Sequence, residues 1–292
     1  MDSCLAIDIG GTKLACGIVS PDGHLLDHLQ VPTPRGVSGE ELFAALAALV
    51  KEVSGGNDGL RVCGVGCGGP MSRGGETVSP LNIPAWRDFP LRSRLSQLTG
   101  LDVRVDNDAK ALALGEGWVG AARERDDFMA MVVSTGIGGG IVLDRRLLDG
   151  RLGNAGHIGH VVVEPEGRPC HCGGRGCLEA EASGTAIYEI TGRPPVEASP
   201  DMIRRCGRMV GVAVASVSNL LDLDLTVVAG SVALGFGEPF FEAASEALDI
   251  HARLDFSRGA RIEAAGLGSS GPLIGAGAVG WRSVGHDVGV TT

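Results

Sequence analysis

The chain is 292 residues long, enough to bury a core in each of two domains. Its 44% hydrophobic and 21% charged residues fit an ordinary soluble globular protein, and no uncharged apolar run is long enough to cross a bilayer, so no membrane partner is expected. A formal net charge of -10 and a 4% aromatic content argue against nucleic acid as a partner, while small phosphates held by backbone amides stay compatible.

Asp2 and Ser3 lead straight into a strand pattern, so no signal peptide is expected. Residues 5–9 (LAIDI) read as a short apolar strand interrupted by Asp8. Gly10-Gly11-Thr12-Lys13 follows as a turn, then a strand over 14–19, a Pro21-Asp22-Gly23 turn and a third strand over 24–31. Glycines in the first turn let backbone N–H groups approach a phosphate, and Asp8 could hold a divalent cation through water. The Walker pattern is absent from the chain, so this turn is not a Walker loop.

A helix is predicted over 40–53, a buried strand over 62–67 ending in Gly68-Gly69-Pro70, and a helix over 90–98 stopped by Thr99-Gly100. The strand predicted over 102–105 runs into Asp106-Asn107-Asp108, after which 109–120 reads as an Ala-rich helix. Carboxylates between a strand's C-terminal end and a helix's N-terminus lie where α/β folds bind ligands, although plain helix capping would also use them. A strand over 128–134, the run Ser134-Thr135-Gly136-Ile137-Gly138-Gly139-Gly140 and a strand over 141–143 repeat the opening pattern. Two such hairpins, one per half, suggest duplicated domains acting on a nucleotide phosphate chain.

Residues 150–179 (GRLGNAGHIGHVVVEPEGRPCHCGGRGCLE) concentrate histidine, cysteine and glycine. Cys170, Cys172 and Cys177 with His160 offer three thiolates and one imidazole, a closed tetrahedral set suited to a structural zinc ion. Gly173, Gly174 and Gly176 allow the tight turns that such short spacings need. The competing readings are three buried free cysteines, and His171 in place of His160 as the fourth ligand. Eight cysteines without a secretory signal point to reduced thiols and the cytoplasm. Further on, helices are predicted at 186–190, 202–221 and around 239–248, strands at 225–229 and 261–264, and a small-residue helix at 272–281.

These segments resemble the ROK group of bacterial sugar kinases over nearly the full length. The resemblance rests on AIDIGGTK (6–13), SPLNIPAW (79–86), VDNDAKALALGE (105–116), STGIGGG (134–140), GNAGHIGH (153–160), CHCGGRGCLEAEASG (170–184), VVAGSV (227–232) and PLIGAGAVG (272–280). It implies an α/β, two-lobed, actin-like ATPase fold of duplicated ribonuclease H-like lobes with a structural zinc loop. One lobe would span 1–108, completed by the C-terminal helix at about 272–292, and the other 109–271 with the zinc loop at 153–179. ATP, Mg²⁺ and Zn²⁺ are the implied cofactors, a small-molecule sugar the substrate, and a homodimer or tetramer the assembly.

Residue by residue, Asp108 resembles the catalytic base that accepts the proton of the sugar O6 hydroxyl, and Asn107 its sugar-binding neighbour. Gly69, Asn82, His157, His160 and Glu179 resemble the other sugar contacts, with His160 also a zinc ligand. Asp8, Gly10, Gly11, Thr12, Lys13, Thr135, Gly136 and Gly138 resemble the phosphate-binding turns, and Gly230 with Ser231 the adenosine-side loop. Most members carry G-E-x-G-H where this chain has Gly156-His157-Ile158-Gly159-His160. His157 resembles the N-acetylmannosamine kinases of the group, whereas LNIPAW is closer to its glucokinases. The implied activity is therefore phosphorylation of a hexose or N-acylhexosamine at O6. The alternatives are polyphosphate as donor and a non-catalytic sugar-sensing regulator of the same family. The regulators' helix-turn-helix domain is not expected here, the first strand starting at residue 5.

Overall fold

The computed structural model describes residues 2–291. In chain order its elements are β1 (Ser3–Ile9), β2 (Lys13–Val19), β3 (Leu25–Pro32), α1 (Gly39–Ser54), β4 (Leu60–Cys67), α2 (Leu91–Thr99), β5 (Val103–Asn107), α3 (Asp108–Val119), β6 (Phe128–Val133), β7 (Ile137–Leu143), β8 (Arg146–Leu147), α4 (Leu178–Ala182), α5 (Gly184–Thr191), α6 (Pro200–Leu221), β9 (Leu225–Ala229), α7 (Ser231–Phe236), α8 (Glu238–His251), β10 (Arg261–Ala264) and α9 (Gly271–Ser283). Among the described residues no helix is long and apolar enough to cross a membrane. The chain divides into two compact units, one formed by the residues up to Glu124, by Arg145–Ala155 and by those from Gly266 on, the other by Arg125–Asp144 and Gly156–Ala265.

The first unit is built on a sheet of order β3-β2-β1-β4-β5, with β1, β2 and β3 antiparallel and β1, β4 and β5 parallel. All of β1 is buried, as expected of a strand covered on both faces. Leu42, Phe43, Leu46 and Leu49 of α1 join the sheet's apolar core. α1 is started by a capping box in which Ser38 Oγ accepts the Glu41 N–H at 3.2 Å and the Glu41 carboxylate accepts the Ser38 N–H at 2.7 Å. Below that helix Trp86 stacks on Phe89 with ring centroids 4.5 Å apart. α3 and α9 pack on each other and on β4, and α9 comes so close that a Cβ on Gly64 would overlap the Ala276 carbonyl. The small residues of 272–281 serve that approach. The unit runs through α3 to Glu124, and α3 finds its apolar partners in α9 and β4.

The second unit orders its strands β10-β9-β6-β7, with β6 and β7 antiparallel and β6, β9 and β10 parallel. An antiparallel hairpin continued by parallel strands thus occurs in both units. α6 and α8 pack against each other, their backbones brought together at Gly207 and Gly211, where an added Cβ would meet the carbonyls of Phe240 and Ala244. Two short helices, α4 and α7, were not legible in the sequence. β7 also begins at Ile137 rather than 141, so Gly138, Gly139 and Gly140 lie within a strand and only Ser134-Thr135-Gly136 forms the turn.

Candidate functional site

In the first unit the Gly10–Lys13 turn is closed by Gly10 N–H donating to Lys13 O at 3.0 Å and held from outside by Thr33, whose hydroxyl donates to Gly10 O at 2.7 Å. Gly11 faces Asn82: a Cβ there would lie 2.8 Å from Asn82 Cβ, closer than real contacts allow. The structure thus brings Asn82 onto the phosphate-type turn, and Leu81 N–H donates to Gly69 O at 3.1 Å, which brings Gly69 to the same region.

Asp8 ends on the parallel side of the sheet beside Gly66, and the register continues from Gly66 to Asp106. A Cβ on Gly66 would stand 3.5 Å from Asp108 Cα and 3.8 Å from Asp8 Oδ1, so a residue without a side chain separates the two acids. Asp8 is buried, and its carboxyl is pushed up to about 7, by burial first and by the negative charge of Asp108 second, with Lys13 opposing. A carboxylate so poised is receptive to a cation.

The turn from β5 into α3 assigns different work to three adjacent polar residues. Asn107 is the N-cap, its Oδ1 accepting from Ala109 N–H at 3.0 Å and Lys110 N–H at 3.4 Å. This corrects the plain-capping reading of the flanking aspartates. Asp106 is engaged by Lys110 Nζ at 2.9 Å, and Asp108 Oδ1 accepts the adjacent Ala109 N–H at 2.9 Å. Lys110 went unnoticed in the sequence. It is buried, and it also reaches Asp149 Oδ1 at 2.6 Å and Gly153 O at 3.3 Å, tying the segment before the histidine loop to α3. A lysine inside the otherwise apolar run Ala109–Leu114 was the available signal.

In the second unit the Ser134-Thr135-Gly136 turn is supported by Gly184 N–H on Ser134 O (2.7 Å) and by Thr185 N–H and Oγ1 on Thr135 O (3.2 and 2.9 Å). Ser134 Oγ meets Ser231 Oγ at 3.0 Å, which joins the Gly230-Ser231 loop to this turn. The loop carrying His157 lies directly on β7. Gly156 has φ +97°, a conformation that side chains rarely adopt, and a Cβ there would overlap Gly139 O. Gly139 is thereby explained by close backbone approach rather than by phosphate. His157 is half-buried and burial lowers its pKa, with neighbouring His160 adding to the effect, so the ring is neutral near pH 7. Glu179 Oε2 accepts the Ile137 N–H at 2.8 Å.

His160, Cys170, Cys172 and Cys177 converge, their ligand atoms all within 4.8 Å of one another. His160 Nδ1 is 3.8 Å from Cys170 Sγ, and Cys172 Sγ is 3.8 Å from Cys177 Sγ. A tetrahedron with bonds of about 2.3 Å has edges of roughly 3.8 Å, so the donor set fits a zinc ion. His171 is exposed and pairs with Glu189 at 3.3 Å, outside the cluster, which resolves the choice between the two histidines. The sequence reading also missed Glu181. It is fully buried, pairs with Arg205 and accepts the Arg168 N–H at 2.6 Å, bracing the cysteine loop from the side of α4.

One α/β unit thus holds an acid pair beside a glycine turn, and the other holds a second turn and a Cys₃His cluster. The chain belongs to the ROK family, whose model matches residues 4–280. It is 44% identical over 185 residues to the glucokinase of Thermotoga maritima, an alignment that spans 63% of this chain and 58% of that protein. It is 37% identical over 254 residues to the N-acetylmannosamine kinase of Yersinia pseudotuberculosis, covering 81% of this chain and 86% of that one. A ROK family glucokinase from Streptomyces griseus, crystallised with glucose and AMPPNP, matches with a TM-score of 0.84 at 31% identity over 95% of this chain and 99% of the other.

Proposed function

We propose that this member of the family is an ATP-dependent sugar kinase that phosphorylates a hexose or an N-acylhexosamine at O6. The observation that carries the proposal is the acid pair: Asp108 opens α3 across Gly66 from a buried Asp8 with a raised pKa, near the Gly10–Lys13 turn. That arrangement, together with the glucokinase and N-acetylmannosamine kinase relatives, supports phosphoryl transfer over simple sugar sensing.

In this reading Asp108 accepts the proton of the attacking hydroxyl as the O–P bond forms, when that proton has become acidic. Asn107, with its Oδ1 given to the helix, keeps its Nδ2 hydrogens for the sugar, and Gly69, Asn82, His157, His160 and Glu179 complete the sugar contacts. The N–H groups of Gly10–Lys13 and of Thr135, Gly136 and Gly138 hold the phosphates, with Gly230 and Ser231 on the adenosine side. Asp8 would help to hold Mg²⁺, which would supply neutralisation of phosphate charge. Zn²⁺ bound by His160, Cys170, Cys172 and Cys177 supplies rigidity to the segment that carries His157 and Glu179.

The test is an ADP-release assay with glucose, mannose, N-acetylglucosamine and N-acetylmannosamine, repeated with polyphosphate as donor and direct detection of the sugar phosphate. Turnover of at least one sugar with ATP is expected. No turnover of any of them, with sugar binding retained, would favour the regulator.

A further inference from the structure

In the second unit one carboxylate is shared between two parts of the proposed site. Glu179 stands in the first turn of α4, two residues after Cys177, and its Oε2 accepts the Ile137 N–H at 2.8 Å. Ile137 is the first residue of β7 and directly follows the Ser134-Thr135-Gly136 turn. The same turn is gripped from the start of α5, where Gly184 and Thr185 donate to the carbonyls of Ser134 and Thr135. Ser183 alone separates α4 from α5. The α4–α5 elbow therefore fixes the turn at both ends, through the Gly184 and Thr185 N–H groups and the Thr185 hydroxyl on one side and the Glu179 carboxylate on the other.

We propose that Glu179 is a positioning residue for the Ser134-Thr135-Gly136 turn read as phosphate-binding, so that nucleotide affinity depends on this carboxylate even when no sugar is present. The inference rests on reading the turn as a nucleotide site. The physical basis is that a glycine-containing turn binds phosphate through N–H groups only while they converge, and its freedom must be removed beforehand for affinity to be high. A charge-assisted hydrogen bond to Ile137 removes part of that freedom at the point where the turn becomes a strand. The neutral donors from α5 hold carbonyls and leave the N–H side of the turn unrestrained. A sugar hydroxyl bound to Glu179 would act on this same side chain, so sugar and nucleotide affinities should be coupled, and equally in both directions.

The experiment measures AMPPNP affinity by calorimetry without sugar, using the full-length, metal-loaded protein and its Glu179→Gln, Glu179→Asp and Glu179→Ala variants. Glutamine keeps an acceptor oxygen at the same reach and loses only the charge assistance, so its affinity should fall between those of the unaltered protein and the alanine variant. Aspartate is one methylene short and alanine has no acceptor. Both should bind about tenfold more weakly, the scale of one hydrogen bond to a charged group. Equal affinity in all four proteins, or a glutamine variant as weak as alanine, overturns the inference while the nucleotide reading stands. An unaltered protein that binds no AMPPNP overturns both. The aspartate variant keeps the charge and carries the comparison if the alanine variant fails to fold.

Discussion

Asn107 Oδ1 accepts the Ala109 N–H at 3.0 Å, so the residue before Asp108 caps the helix that Asp108 begins. Asp106, the other candidate acid, is bound to Lys110 at 2.9 Å and lies 3.9 Å from Arg282. Asp108 instead stands across Gly66 from Asp8, with which it shares a repulsive charge interaction. Asp108→Asn is expected to lower kcat by at least about two orders of magnitude, the usual contribution of a positioned base, with little change in melting temperature because the cap remains. Steady-state kinetics beside a melting curve checks this, and near-normal turnover would remove Asp108 from the mechanism.

Asp8 should behave oppositely in stability and in activity. Its folded pKa, about 7, lies above the ordinary 3.8, so the fold disfavours the ionised form. The stability it permits is fully present below the unfolded value and is lost as pH rises through about 7. Asp8→Asn is expected to stabilise the metal-free protein at pH 8, by at most about 4 kcal/mol at roughly 1.4 kcal/mol per pKa unit, while activity falls steeply. Denaturant melts at pH 5 and pH 8, with and without Mg²⁺, read the effect. An Asn variant no more stable at pH 8 than the original would show that the charge is already compensated.

The thiol cluster predicts a metal-dependent fold. Elemental analysis should find one zinc per chain, and Cys172→Ser should lower both zinc content and melting temperature. Because folding assembles the ligands, binding free energy becomes folding free energy, and a chelator should destabilise the protein as it inactivates it. An unchanged melt and full activity in metal-free protein would refute the assignment.

His157 is expected to select the sugar. A carboxylate only accepts hydrogen bonds, whereas a neutral imidazole offers one donor and one acceptor on a rigid ring, and burial keeps this ring neutral. His157→Glu should change the ratio of kcat/KM for glucose to that for N-acetylmannosamine by about tenfold or more, since a mismatched hydrogen bond costs on the order of 1–3 kcal/mol. If both sugars slow equally, the ring does not read the substrate.

Much of this molecule is determined by short-range chemistry and is therefore visible in the residue string. Strands β1, β4, β6 and β9 are mostly apolar runs, and the close spacing of Cys170, Cys172 and Cys177 points to a thiol cluster before any fold is known. The family motifs carried Asp8, Asp108 and the two turns for the same reason, each being local. Tertiary structure decided what needed distant partners. It engaged His171 with Glu189 and left His160 to the thiols, because the loop turns one imidazole outward. It folded Gly138–Gly140 into β7, because Gly156 of the histidine loop packs on that strand. It carried the first unit through α3, because α9, over 150 residues later in the chain, supplies the surface that buries it. Lys110 and Glu181 also required it: a charge in an apolar helix reads as an anomaly until the fold brings Asp149 to one and Arg205 to the other, since only a partnered charge can stay buried.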